Sequence, residues 1–345
     1  MTIGSQIDST IAQISRVFSS HAPNGVQGPY TGLAGAVALV AASGYLFLPK
    51  LDRSTVAAVK EAPELDKEGA YPADVYPGGK FLKTPLGKIR YYEFGPEDGE
   101  KVFLVHGITT PSTVWKNVAP RLAEAGYRVL SFDLYGRGYS DSPQVPHRVD
   151  LFLSQLSYLV AALPGWNSFN LVGMSLGGAI VANFAHYFPD RVKKVVLICP
   201  AGATPREAIG QAGRLYASNY VSVGVMQTLT KNIGLGLPLP ANNPIVAWQL
   251  TRHPGFPHSY FSSFREGPIF DQAAIMKSVI RSFGGRLSAI WGDYDSIVPM
   301  SSIDHLGPEG DELRKRLTVV PGGEHFIVVT HPEAVTKALL HDLAA

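Results

Sequence analysis

From residue 81 onward, short apolar runs alternate with longer stretches whose apolar positions recur every three or four residues. The short runs, rich in β-branched and aromatic side chains, predict strands at Ile89–Phe94, Val102–His106, Val129–Asp133, Asn170–Met174, Val195–Cys199, Leu287–Trp291 and Leu317–Val320. The longer spacing predicts helices near 112–125, 148–163, 176–187 and 331–343. Strands and helices taking turns argue for a mostly parallel sheet wrapped by helices. Between Ala201 and about Phe283 the alternation stops. That segment carries Tyr216, Tyr220, Met226, Trp248, Phe256 and Phe261 among prolines, and reads as a helical lid inserted between two strands.

Upstream, the pattern changes character three times. Residues 1–30 form a polar, Ser-rich tail in which Ile7, Ile11, Ile14, Val17 and Phe18 recur at helical spacing. Thr31–Leu48 is a run of eighteen residues without a charge, bounded by Pro29 and Pro49; as a helix it would span about 27 Å, enough to cover a bilayer core. It reads as a single-pass membrane anchor, with a buried helix as the alternative because Gly32, Ala34, Gly35, Ala36 and Ala38 are small. Lys50, Arg53 and Lys60 follow the run while Arg16 alone precedes it, so the catalytic side is expected to face the cytosol. Arg16-Val17-Phe18-Ser19-Ser20 keeps a mitochondrial address open. Residues 49–80, rich in charge, Pro and Gly, read as a linker.

A 345-residue chain that is 46% hydrophobic can bury a large core, which excludes disorder as a whole. A net charge of +2 provides no basic stripe for a phosphate backbone, so no nucleic-acid partner is expected. The single cysteine, Cys199, rules out an intrachain disulfide and reads as a buried thiol. No Cys/His spacing suggests a metal site.

The candidate chemistry centres on Asn170-Leu171-Val172-Gly173-Met174-Ser175-Leu176-Gly177-Gly178. An apolar strand, a glycine-flanked serine and a helix would hold Ser175 at a tight turn above the sheet edge, with the helix N-terminus aimed at charge developing beside its hydroxyl. A serine nucleophile needs a base, a group that orients the base, and donors for an oxyanion. Asp295 follows a predicted strand in Trp291-Gly292-Asp293-Tyr294-Asp295, and His325 follows the last strand in Pro321-Gly322-Gly323-Glu324-His325. Asp293 is the rival acid. His106, at a strand end before Gly107, reads as a turn-stabilising residue, and Asp133 and Ser140 as groups that tie down a loop. His186, His331 and His341 read as surface or capping residues, and Lys193 and Lys194 as a solvated turn.

With Val105-His106-Gly107-Ile108 and Asp133-Leu134-Tyr135-Gly136-Arg137-Gly138-Tyr139-Ser140-Asp141 added, five motifs stand in the order Ser, Asp, His expected of an α/β-hydrolase. From about Phe81 to Ala345 the chain resembles a serine hydrolase of that superfamily. The resemblance implies an eight-stranded, mostly parallel sheet flanked by helices, with a lid at about 201–283. It also implies a catalytic Ser175, Asp295 and His325, with Asp295 favoured over Asp293 by the Trp-Gly-x-x-Asp spacing. The backbone N–H groups of Ile108 and Leu176 would form the oxyanion hole. A plain Ile after His106-Gly107 leans toward the lid-bearing branch that includes monoacylglycerol lipases and small-ester hydrolases. The implied reaction is hydrolysis of a carboxylic ester or lipid through an acyl-enzyme, with no metal or organic cofactor. Ser175 argues against epoxide hydrolases and haloalkane dehalogenases, which use an aspartate. Acyltransfer, carbon–carbon bond hydrolysis and a non-catalytic binding role on the same scaffold stay open.

Overall fold

The apolar runs assemble into one eight-stranded sheet in a computed structural model that describes residues 55–57, 70–208 and 243–344. The strands are β1 (Gly79–Thr84), β2 (Gly87–Phe94), β3 (Glu100–Val105), β4 (Tyr127–Phe132), β5 (Phe169–Met174), β6 (Val192–Ile198), β7 (Leu287–Gly292) and β8 (Leu317–Val320). Their order is β8-β7-β6-β5-β3-β4-β2-β1. β1 and β2 form an antiparallel hairpin, β2 pairs antiparallel with β4, and every other pairing is parallel. Val102, Phe103, Leu104 and Val105 are fully buried, as a strand covered on both faces requires.

The α-helices longer than one turn are α1 (Ala119–Glu124), α2 (Val149–Ala162), α3 (Leu176–Tyr187), α4 (Pro244–Arg252), α5 (Phe256–Glu266), α6 (Ala273–Phe283), α7 (Pro308–Arg314) and α8 (Pro332–Ala344) among the described residues, with a single turn at Ile327–Thr330. Right-handed crossovers set their sides. The step from β3 to β4 runs one way along the sheet, and the steps β4 to β5, β5 to β6 and β6 to β7 run the other. So α1 covers one face, joined by α8, while α2, α3 and α6 cover the opposite face. The chain therefore reverses direction between β3 and β5, and the crevice beyond their carboxyl ends is where side chains from several loops converge.

Four expectations need adjustment. Residues 70–80 are no free linker: Tyr71 and Tyr76 are buried, and Gly79 opens β1. The alternation rule misses β1 because it is an edge strand, Gly-Lys-Phe-Leu-Lys-Thr, with Phe81 exposed. Farther upstream, Thr55–Val56 pairs antiparallel with Ser142–Pro143. The inserted segment ends before α6, since Met276, Val279, Ile280 and Phe283 join the main core and make α6 the β6–β7 crossover helix. Thr31–Leu48, the 1–30 tail and residues 209–242 lie outside the described residues. Among the described residues no helix is long and apolar enough to cross a membrane.

Candidate active site

Ser175 stands between β5 and α3 with φ +56° and ψ −121°, a conformation that costs a non-glycine residue on the order of 1–3 kcal/mol. Its neighbours hold it there. Its N–H donates to Ile198 O at 2.9 Å, and its carbonyl accepts from Gly178 N at 2.9 Å and Ala201 N at 3.0 Å. The flanking glycines are required by contact: a Cβ on Gly173 would lie 2.3 Å from Gly177 O, and one on Gly177 would lie 2.2 Å from Val105 O. The Ser175 hydroxyl makes no capping bond to α3, which leaves it for another partner.

That partner is His325, whose Nε2 lies 2.9 Å from Ser175 Oγ. On the other side of the ring, Nδ1 lies 2.8 Å from Asp295 Oδ2. Asp295 Oδ1 accepts from the N–H groups of Ile297 at 2.9 Å and Val298 at 2.8 Å, which fixes the carboxylate. The loop that carries it is pinned by Trp291 Nε1–H to Val298 O at 2.8 Å and by Tyr294 N–H to Gly323 O at 2.9 Å. The second bond joins the acid loop to the histidine loop. Asp293 is exposed whereas Asp295 is buried, so the two carboxylates differ in surroundings despite sharing one loop.

Across from the serine, His106 donates from Nδ1 to Gly107 O at 2.8 Å and accepts Leu134 N–H on Nε2 at 2.8 Å. Both nitrogens are thus used by the neutral ring, and burial pushes its pKa down to about 3. A Cβ on Gly107 would sit 3.2 Å from Ser175 Cβ, so the turn leading to Ile108 passes directly over the serine. Leu176, the first residue of α3, has an N–H in the turn whose amides lack intrahelical acceptors. The Gly107–Ile108 turn and the start of α3 thus meet at the serine from two chain segments.

Asp133 is wholly buried and accepts from Tyr71 Oη at 2.8 Å, Ser112 N at 2.9 Å, Ser112 Oγ at 2.7 Å and Tyr139 N at 2.8 Å. Burial raises its pKa against these donors. Ser140 Oγ donates to Asp133 O at 2.7 Å, so both residues tie down the loop after β4. Cys199 follows β6 with φ +43°, and its buried thiol is pushed up chiefly by desolvation and then by the Asp295 charge. Cys199, Asp295 and His325 each offer a ligand atom, all within 4.8 Å of one another. With His325 Nδ1 and Asp295 Oδ2 only 2.8 Å apart, that space suits a shared proton better than a cation.

Residues 101–221 match the family model described as the alpha/beta hydrolase fold. A bromoperoxidase from Bacillus anthracis superposes with a TM-score of 0.60 at 24% identity, over 77% of this chain and all of that one, a likeness of fold. The chain has the α/β-hydrolase fold. An uncharacterized protein of Mycobacterium tuberculosis is 32% identical over 131 residues, 38% of this chain and 38% of its own length. A human serine hydrolase-like protein is 34% identical over 119 residues, 34% of this chain and 58% of its own. The chain thus spans 38% and 58% of these two relatives, less than two thirds of either.

Around this site are polar residues that sequence spacing did not mark. Arg137 and Gln249 are wholly buried, and both reach the segment after His106-Gly107. Gly136-Arg137-Gly138 is the signal that was available for the first: a long charged side chain between two glycines, both at positive φ, in an otherwise tight loop. Nothing local marks Gln249.

Proposed function

We propose that this α/β-hydrolase is a serine esterase that cleaves a lipophilic carboxylic ester through an acyl-enzyme. The reading rests on the unbroken hydrogen-bonded line from Ser175 Oγ through His325 to Asp295, in a site where these residues keep only 7%, 5% and 5% of their surface exposed. His325 Nε2 takes the Ser175 proton as Oγ attacks the ester carbonyl. The developing oxyanion meets the Ile108 and Leu176 amides, each contributing about 3 kcal/mol of transition-state stabilisation. Asp295 holds the imidazole in the tautomer with a proton on Nδ1 and stabilises the imidazolium. His325 then protonates the leaving alcohol, and water activated by the same ring releases the acid.

Tyr294 and Ile297, 69% and 62% exposed beside Asp295, offer an apolar rim and support a lipophilic substrate. So does the uncharged run Thr31–Leu48, which we read as a single-pass anchor with the catalytic side facing the cytosol. Ser175→Ala should abolish both p-nitrophenyl ester hydrolysis and fluorophosphonate labelling, a loss on the order of 10⁴–10⁶ in kcat. Labelling retained in the folded variant would refute the assignment. An ester panel with competing alcohols separates hydrolysis from acyltransfer. Release of the full chain from membranes by carbonate would count against the anchor.

A further inference from the structure

The segment Ile108–Ser112 is held from outside at three backbone atoms. Ile108 O accepts Arg137 Nε–H at 3.1 Å, Thr109 O accepts Gln249 Nε2–H at 2.7 Å, and Ser112 N–H donates to Asp133 Oδ1 at 2.9 Å. Arg137 has no exposed surface. The groups it reaches are neutral: besides Ile108 O they are Tyr135 O at 3.0 Å, Ser259 O at 3.3 Å and Ser263 Oγ at 2.9 Å. Burial brings its pKa down to about 9. A guanidinium buried among neutral acceptors is costly, and a loop needing only rigidity could be filled more cheaply by apolar side chains. What a planar fork of five donors does that they cannot is bind several carbonyls of fixed direction at once.

Two of those acceptors lie on α5, and Gln249 lies on α4, where its Oε1 also accepts Gly138 N–H at 3.1 Å. The inserted helices are therefore wired by hydrogen bonds to the turn that crosses over Ser175. We propose that Arg137, supported by Gln249, is a positioning residue for the oxyanion site. Resting on the esterase reading above, it holds the peptide that follows Ile108, and so the Ile108 N–H on the other side of the same Cα, and it ties that direction to α4 and α5. With the carbonyls of Ile108 and Thr109 both held, the peptide plane on the far side of the Ile108 Cα is fixed, which limits how far its N–H can turn away from the serine.

The test uses the full chain with Arg137→Met, Arg137→Lys and Gln249→Leu, each checked for a cooperative melting transition. p-Nitrophenyl acetate measures turnover, and a trifluoromethyl ketone, whose adduct with Ser175 carries an oxyanion, measures binding of the tetrahedral state. In Arg137→Met kcat should fall about 10–100-fold with KM within about twofold, and the ketone should weaken by the same factor as kcat/KM. Arg137→Lys, with one ammonium in place of the fork, should recover only part of the loss. A folded Arg137→Met with unchanged kcat, or with KM alone raised, overturns the proposal. If Arg137→Met does not fold, Gln249→Leu decides: kcat and ketone affinity should fall together by about three- to tenfold, and no change in either overturns it. Ser175→Ala run beside them separates the failures. If it keeps turnover, the esterase reading is wrong. If it loses turnover while the Arg137 and Gln249 variants behave like the parent, only the positioning role is wrong.

Discussion

Asp295 Oδ2 stands 2.8 Å from His325 Nδ1, while its other oxygen is locked by the N–H groups of Ile297 and Val298. A carboxylate held at both oxygens can select one imidazole tautomer and keep the ring turned toward Ser175. Asp295→Asn should therefore lower kcat about 10⁴-fold with the fold intact, because an amide can support the wrong tautomer. Asp293→Asn, altering an exposed side chain in the same loop, should change kcat by less than about threefold. Steady-state kinetics on one short ester compares the two, and the opposite ranking would move the acid to Asp293.

Gly177→Ala should be far more damaging than its chemistry suggests. The added methyl would lie 2.2 Å from Val105 O and 2.6 Å from His106 O, backbone atoms that cannot swing aside. Relieving that clash means pushing α3 off β3, for a loss of about 3 kcal/mol or more. Gly285→Ala meets nothing within 4 Å and should shift stability by less than about 0.5 kcal/mol. Urea unfolding of the two variants measures the difference.

Acid should destabilise the fold through histidines buried in the neutral form. His253 Nε2–H donates to Ser140 O at 2.9 Å while Nδ1 accepts Gly255 N–H at 3.1 Å, and burial pushes its pKa down to about 4. His106, at about 3, uses both nitrogens in the same way. The unfolded chain takes up these protons near pH 6.5, where the folded protein does not. Stability is thus fully present above about pH 6.5 and falls with pH by about 1.4 kcal/mol per unit per histidine, until the folded rings themselves titrate. His253→Asn, which keeps an acceptor for Gly255 N–H, should flatten the fall in melting temperature between pH 6.5 and 5. An unchanged slope would remove His253 as a source.

Tyr71→Phe should cost about 1–3 kcal/mol, because it takes a hydroxyl donor from the buried Asp133 carboxylate without offering a replacement. The ring contacts with Tyr139 and Trp248, at centroid distances of 4.8 and 5.7 Å, should survive. Calorimetric melting reads the loss. A melting temperature equal to the parent's would mean that the Ser112 and Tyr139 donors suffice for Asp133.

What the sequence by itself determined is the set of features governed by neighbours along the chain. Seven of the eight strands lie within a few residues of their apolar runs, the six interior ones because two-sided burial demands continuous hydrophobicity. The turn at Ser175 is legible because a serine at φ +56° between crowded elements needs glycines two residues away on each side. Asp295 and His325 were reachable because both sit just past strand ends, where parallel strands deliver their loops to one edge. Only the tertiary structure decided that Asp295 is buried and Asp293 exposed, that Tyr71 belongs to the core, and that Arg137 and Gln249 grip the turn over the serine. Tyr71 and Asp133 are 62 positions apart, and Gln249 and Thr109 are 140 apart. Hydrophobic periodicity reports which face of a local element is dry, but the partner of a buried polar group is set by how distant elements pack, and no local pattern encodes that.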